Sequence, residues 1–274
     1  MAIGHPAPPL KHVWLFIMEN HSYNQIIGNP NAPYINSLAA TYGLATNYYA
    51  VATDSLPNRL ALIAGRTFGC RSVDCGGAYR GTTIVEELES AGLSWAGYFE
   101  DLPYRGYAGG STGGYVQHHN PFVYFSALVT AHSLQTSVRP LSDFIASLRD
   151  PPSFNIIEGT NQHNMHDGTI GEGDIWLSTL VRPILGSADF QHGGVVFITW
   201  DEGRNGDRSG CCLPSVDGGH VPTIVIAAGG KRAFRTSTPY THYSLLRTIE
   251  EGFGLRPLAE TADPAVNSMA EFWP

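Results

Sequence analysis

The chain has 274 residues, of which 43% are hydrophobic and 15% charged, with 31 glycines, 18 prolines and a net charge of -8. That is enough apolar residue to bury a core, too few charges for a disordered chain, and no basic stripe to neutralise the phosphates of a nucleic acid. No run of about 20 apolar residues is present to span a membrane.

The first element expected is a strand over His12–Met18, an apolar run that ends on Glu19, Asn20 and His21. Helical spacing covers Ala32–Gly43, and "ATNYYAVA" reads as a short strand. "NRLALIAG" (Asn58–Gly65) is a helix stopped by glycine. A helix from Thr83 to Ser90 leads to a strand from Ser94 to Phe99. The stretch from Glu100 to Pro121 is Gly/Tyr-rich and reads as a site-covering loop, with Tyr104, Tyr107 and Tyr115 placed to stack a head group or to shield a site. Pro140–Asp150 is expected as an amphipathic helix capped by Ser142, followed by the strand "SFNIIEG". A helix over Gly173–Ser187 precedes "GGVVFITWDEG", the clearest strand, which again runs into acids. "VPTIVIAAGG" is a strand and "THYSLLRTIEEGFGL" a helix ended by Gly252. Such alternation of strands and helices predicts one α/β domain over 1–274, a sandwich with a mostly parallel central sheet.

In such a sheet, ligands bind at the carboxyl ends of the strands. Glu19 and the pair Asp201-Glu202 occupy that position, and three carboxylates converging there call for a cation. Ser55 precedes a Leu-Pro turn and the Asn58 helix, where free backbone N–H groups suit a phosphate. A metal beside Ser55 would make its alkoxide accessible near neutral pH, and the Asn58 amide could donate to a phosphoryl oxygen. Thr53 is the competing hydroxyl. The eleven histidines include His118, His119, His163, His166, His220 and His242, all in loops or at the starts of elements. Cys70 and Cys75 are close enough for a loop disulfide, with reduced thiols as the alternative. The adjacent Cys211 and Cys212 admit either a vicinal disulfide or two thiols. No signal peptide is visible, but the opening "MAIGHPAPPLKH" has the look of a trimmed start, and the expected location is secreted or periplasmic.

The motifs "MENHSY", "SLPN", "NMHDG", "TWDEG", "GGHVP" and "THYSLLRTIE" occur in this order. Together they resemble the bacterial phosphoesterase family of non-haemolytic phospholipases C and acid phosphatases, within the alkaline phosphatase superfamily. The resemblance runs from about Lys11 to Leu255 and implies a three-layer α/β/α fold like that of alkaline phosphatase. It implies a metal-dependent phosphoric ester hydrolase with Ser55 as nucleophile, passing through a phosphoserine. Glu19, Asn20, Ser55, Asp201 and Glu202 would hold a divalent ion (Mg, Mn, Ca or Zn), with Asn58, His119, His166 and His220 as phosphate donors or leaving-group acid. Many relatives have Asp where Asn164 stands, so one firmly held metal is expected rather than two. The substrate implied is a small phosphate ester or a phospholipid head group. A phospholipase C-type or other phosphodiesterase is the alternative. A phosphoryl transferase would need an acceptor site, and a non-catalytic binding protein would be expected to have lost Ser55 or the acids.

Overall fold

The computed structural model describes residues 6–212 and 216–274; the first five residues, part of the stretch read above as a trimmed start, lie outside it. Among the described residues ten strands form: β1 His12–Met18, β2 Gly43–Ala45, β3 Tyr48–Tyr49, β4 Trp95–Phe99, β5 Val138–Pro140, β6 Phe154–Glu158, β7 Gly194–Trp200, β8 Thr223–Ala227, β9 Phe234–Thr236 and β10 Tyr240–Thr241. Eight of them make one sheet in the order β5-β4-β6-β1-β7-β8-β2-β9, while β3 and β10 pair separately. Only β8 runs against the rest, since it is antiparallel to both β7 and β2. The remaining pairings in the sheet are parallel.

The central strands are apolar on both faces because helices cover both. Along β1 the side chains alternate. Phe16 points at Trp176 of the helix Ile170–Leu185 and at Phe144. Two residues of opposite parity, Ile17 and Glu19, face the layer that contains the helices Ser55–Ala64 and His242–Phe253, which pack together. Trp14, Phe16 and Trp200 on one face and Leu15, Ile17 and Phe197 on the other are fully buried, so the core lies on both sides of β1 and β7.

Several elements differ from their sequence reading. The helix expected from Asn58 begins at Ser55, because Pro57 falls in the first turn, where no intrahelical N–H bond is lost. It ends at Gly65 in the left-handed region, φ 67°, where a Cβ would collide with the Leu258 carbonyl. The segment from Pro140 to Asp150 is no continuous helix: a 3-10 turn Leu141–Asp143 precedes the single turn Phe144–Ser147, and Ser142 caps neither. Phe144 is its one fully buried side chain, too little apolar surface to hold a longer helix against the sheet. The last helix continues past Gly252 to Phe253, with Gly254 as its left-handed terminator.

Glu250 in that helix is 1% exposed and accepts hydrogen bonds from the Leu258 N–H (3.1 Å) and the Thr261 hydroxyl (2.7 Å). Burial pushes its carboxyl up to about 8. A carboxyl raised in the folded state favours folding less as pH climbs from its unfolded value toward that figure. Glu250→Gln is therefore expected to match the parent at pH 5 and to exceed it at pH 8 by on the order of 1–3 kcal/mol. Urea denaturation at both values checks this; an equal difference at the two would contradict it.

Candidate active site

Three neighbouring parallel strands end on acids. Ile17 of β1 lies opposite Glu158 of β6, and Met18 lies opposite Trp200 of β7, so Glu19, Glu158 and Asp201 stand side by side along the carboxyl edge. All three are fully or almost fully buried. Their common cation is the guanidinium of Arg59, itself 0% exposed. It gives Nε and Nη2 to the two oxygens of Glu158 (2.8 and 3.0 Å), Nη1 to Asp201 Oδ2 (2.8 Å) and Nη2 to Glu19 Oε1 (2.9 Å). Neither Arg59 nor Glu158 was assigned a role from the sequence. Glu158 carried the signal, since "FNIIE" is an apolar run into an acid just as "WLFIME" is. Arg59 did not, because a lone arginine one turn into a helix reads as a solvated face.

Glu19 keeps its second oxygen for the cleft side. Oε2 accepts from the Ser55 hydroxyl (3.2 Å) and the Asn20 side-chain amide (2.9 Å). Asn20 adopts φ 54°, a left-handed geometry that Asn tolerates better than most residues. Its N–H donates to Asp201 Oδ1 (3.3 Å), which also takes the Glu202 N–H (2.7 Å). Glu19, Asn20, Ser55, Asp201 and Glu202 thus form one contiguous group. Glu202 is 8% exposed and its Oε2 has no hydrogen-bond partner among the described residues.

Of these groups, Asn20, Ser55 and Glu202 border a cleft of about 440 Å3, also lined by Thr53, Asp54, His118, His166 and the loop Gly203–Arg208. Ser55 is the first residue of its helix, so the free N–H groups of that turn and the positive end of the helix dipole face the cleft. Ser22 clamps the loop on the far wall: its hydroxyl donates to Asp207 Oδ2 (2.6 Å) and accepts the Arg204 N–H (3.1 Å). The glycines of "DEG" and "GGH" meet at the same place. A Cβ on Gly219 (φ 96°) would lie 2.7 Å from the Gly203 Cα, so this close approach requires glycine on both segments.

Burial is the main electrostatic fact. It raises the Glu158 carboxyl to about 8. Asp201 is raised too, by burial and then by Glu19, and Glu202 is raised by burial, then by Asp201 and Glu19. Four carboxyls gather at one guanidinium, and in the absence of a further cation burial disfavours charging them all. Burial also lowers His118 to about 4, so this cleft-lining ring is neutral near pH 7.

The structure places the predicted histidines differently from one another. His166 lines the cleft, with Nδ1 2.7 Å from Asp167 Oδ1. His119 does not line it. It is 2% exposed, with Nε2 2.9 Å from Glu19 Oε1 but not aligned for a hydrogen bond. Any effect it has on a phosphate must pass through Glu19. His220 is likewise off the cleft lining: it stacks on Tyr23 (4.7 Å between ring centroids) and its Nε2 bonds the Thr46 carbonyl (3.0 Å). Its ring is used in packing, which corrects its assignment as a phosphate or leaving-group residue. Asn58 is corrected as well. Its amide oxygen accepts the Val51 and Ala52 N–H groups (2.8 and 3.0 Å), and its nitrogen donates to the Ala52 and Asp54 carbonyls (2.6 and 2.9 Å). With its donors and acceptor engaged, Asn58 ties the loop before Ser55 to the helix and has nothing left for a phosphoryl oxygen.

His242 is fully buried, and because a carbonyl only accepts, its Nε2 donates to the Asp201 backbone (2.7 Å) while Nδ1 accepts from Tyr48 (2.9 Å). It holds the Asp201 backbone at the sheet edge. The Gly/Tyr-rich loop reaches the cleft only through His118; Tyr115 is buried against Phe99 and Tyr107, and none of the three tyrosines lines the cleft. Cys70 is bonded to Cys75 and Cys211 to Cys212.

The sequence model of the Phosphoesterase family matches residues 29–256. The chain is 34% identical over 251 residues to a phosphatidylinositol-3-phosphatase of Mycobacterium tuberculosis, covering 90% of this chain and 78% of that protein. It is 26% identical to an acid phosphatase of Aspergillus fumigatus, over 90% of this chain and 55% of that one. It thus spans little more than half of that fungal relative. A protein of the alkaline phosphatase superfamily from Vibrio parahaemolyticus superposes with a TM-score of 0.65 at 12% identity, over 94% of this chain and 71% of that one, a likeness of fold.

Proposed function

Because this chain belongs to the Phosphoesterase family, it is a hydrolase of phosphoric esters, and we propose that Ser55 is its nucleophile, acting on phosphate monoesters beside one divalent cation. The observation that carries the reading is the Ser55 hydroxyl at a helix N-terminus, 3.2 Å from Glu19 Oε2 and open to the cleft. Monoester hydrolysis is favoured by the names of the relatives, a phosphatidylinositol-3-phosphatase and an acid phosphatase.

The donor set fits a hard cation. Glu202 presents an unpartnered buried oxygen, and the surplus of carboxyls over Arg59 needs positive charge. No group of three or more His, Cys, Asp and Glu residues closes on one point among the described residues, so the site would also draw on the Asn20 amide and the Ser55 hydroxyl. The holders would be Glu19, Asn20, Ser55, Asp201 and Glu202, an oxygen set that suits Mg2+, Mn2+ or Ca2+ better than Zn2+. When bound, the ion would lower the pKa of the serine hydroxyl and offset charge on the phosphoryl oxygens.

The chain's own residues supply the rest. Ser55 Oγ attacks phosphorus and passes its proton to Glu19 Oε2, the bond to the leaving oxygen breaks, and His166 Nε2 gives that oxygen a proton. Asp167 holds the other ring nitrogen and stabilises the imidazolium. The first-turn N–H groups and the neutral His118 ring face the phosphoryl oxygens. Water then attacks the phosphoserine and loses a proton to His166, the bond from phosphorus to Ser55 Oγ breaks, and Glu19 returns the proton to that oxygen. Both disulfides support an oxidising compartment outside the cytosol. No helix among the described residues is long and apolar enough to cross a membrane.

The test is turnover of p-nitrophenyl phosphate after EDTA and after return of each metal. Removal is expected to cost at least about 100-fold, and a saturating ion to raise Tm by about 5–10 °C. Full activity and an unmoved Tm in EDTA would sink the metal, and the absence of any turnover with every metal would sink the phosphatase reading.

A further inference from the structure

Beside the catalytic cleft lies a second groove of about 670 Å3, and the two share Thr53 and Arg208 in their walls. Its floor is apolar: Val51, Val216 and Tyr243 belong to a small cluster separate from the main core. Its rim is cationic. Arg71 is exposed and makes no ion pair among the described residues. Arg208 pairs only with Asp217, at 3.2 Å and with both side chains well exposed, so the pair is weak and the guanidinium can turn to a ligand. Asp217 is the only acid in the lining. Two arginines against one acid is unusual on a chain with a net charge of -8.

The position of Arg71 is built in. The Cys70–Cys75 bridge closes the loop that carries it, Cys70 lines the groove, and Val73 of the same loop lines the catalytic cleft. One constrained loop therefore forms a wall of both spaces. An alcohol leaving Ser55 past Thr53 would enter an apolar trough ending in two guanidinium groups, whose geometry matches phosphate bidentately.

We infer that this groove is a leaving-group subsite, in which Arg71 and Arg208 recognise a second phosphate or phosphodiester on the alcohol half of the ester. The inference rests on the phosphatase reading of the adjoining cleft. The preferred substrates are then esters with two anionic groups, one to be cleaved at Ser55 and one to be held at the groove.

Two measurements on the intact chain test it. In the first, calorimetry compares alkane bisphosphonates of graded length with monophosphonates of equal length, none of which is hydrolysed. The best bisphosphonate is expected to bind about tenfold or more tighter, and Arg71→Gln with Arg208→Gln to erase the difference. Equal affinity for the two series, or a preference that survives both substitutions, overturns the subsite. In the second, Arg71→Gln is expected to lower kcat/KM about tenfold more for a bisphosphate ester than for p-nitrophenyl phosphate. The bisphosphate ester is offered free in solution and as a lipid head group in phosphatidylcholine vesicles. A selective loss in either form supports the subsite and names its source; equal loss on every substrate overturns it. Because the binding measurement needs no turnover, it decides the subsite even if the hydrolytic reading of the cleft fails.

Discussion

Ser55→Ala is expected to lower turnover of p-nitrophenyl phosphate by at least about 10³-fold while the protein stays folded. Removing a nucleophile leaves only binding and charge stabilisation, whereas removing one donor among several costs about 10²–10³. The structural cost is small. The lost hydroxyl makes one hydrogen bond, to Glu19 Oε2, worth about 1 kcal/mol, or a fall in Tm of about 2–4 °C. Thr53 is the control, since its exposed hydroxyl lines the same cleft. If Thr53→Ala silences the enzyme and Ser55→Ala does not, the hydroxyl has been misassigned. If both variants remain active, a metal-activated water is the better account. Trapping a phosphorylated peptide that contains Ser55 would separate these outcomes directly.

The second large effect lies one helical turn below. Arg59→Met is expected to destabilise the fold by about 3–5 kcal/mol, lowering Tm by roughly 6–20 °C. The reason is not the strength of the ion pairs it breaks. Taking Arg59 away leaves Glu19, Glu158 and Asp201 in the core with no counter-charge and with empty acceptor lone pairs. Arg59→Lys should recover only part of the loss, because one ammonium cannot span three carboxylates that a guanidinium reaches with four separate bonds. Thermal unfolding of the two variants checks this, and a change in Tm under about 2 °C for Arg59→Met would show that the cluster is held by something else.

Much of the site could be read before any fold was known, and for a physical reason. An apolar run that fills a buried strand and stops on a carboxylate is costly unless the carboxylate has a task, and this chain does so at Glu19 and Asp201. Glu158 follows the same rule, but its signal is masked by the loop after it, where His163 and His166 are the more conspicuous chemical groups. His163 proves to belong to packing, with Nδ1 2.8 Å from Glu100 and its ring stacked on Trp176. Motif membership was a poorer guide than pattern for Asn58 and His220. Each lies in a recognisable motif, yet Asn58 spends its amide on backbone, and His220 packs its ring on Tyr23 with Nε2 on the Thr46 carbonyl.

What the sequence determined by itself is the class of fold, the strand-end acids and the serine at a helix start, because hydrophobic period, chain-local caps and the ends of apolar runs are short-range properties. Tertiary structure alone decided which strands are neighbours. The order β6-β1-β7 is set by crossover connections many residues long, and it brings Glu158, Glu19 and Asp201 together from positions 139 and 43 residues apart. It also decided that the cation between them is Arg59, placed one turn after Ser55 and aimed inward by the packing of its helix on the sheet. No local pattern distinguishes an arginine that will be buried from one that will face water, since that depends on what the rest of the chain puts on the other side.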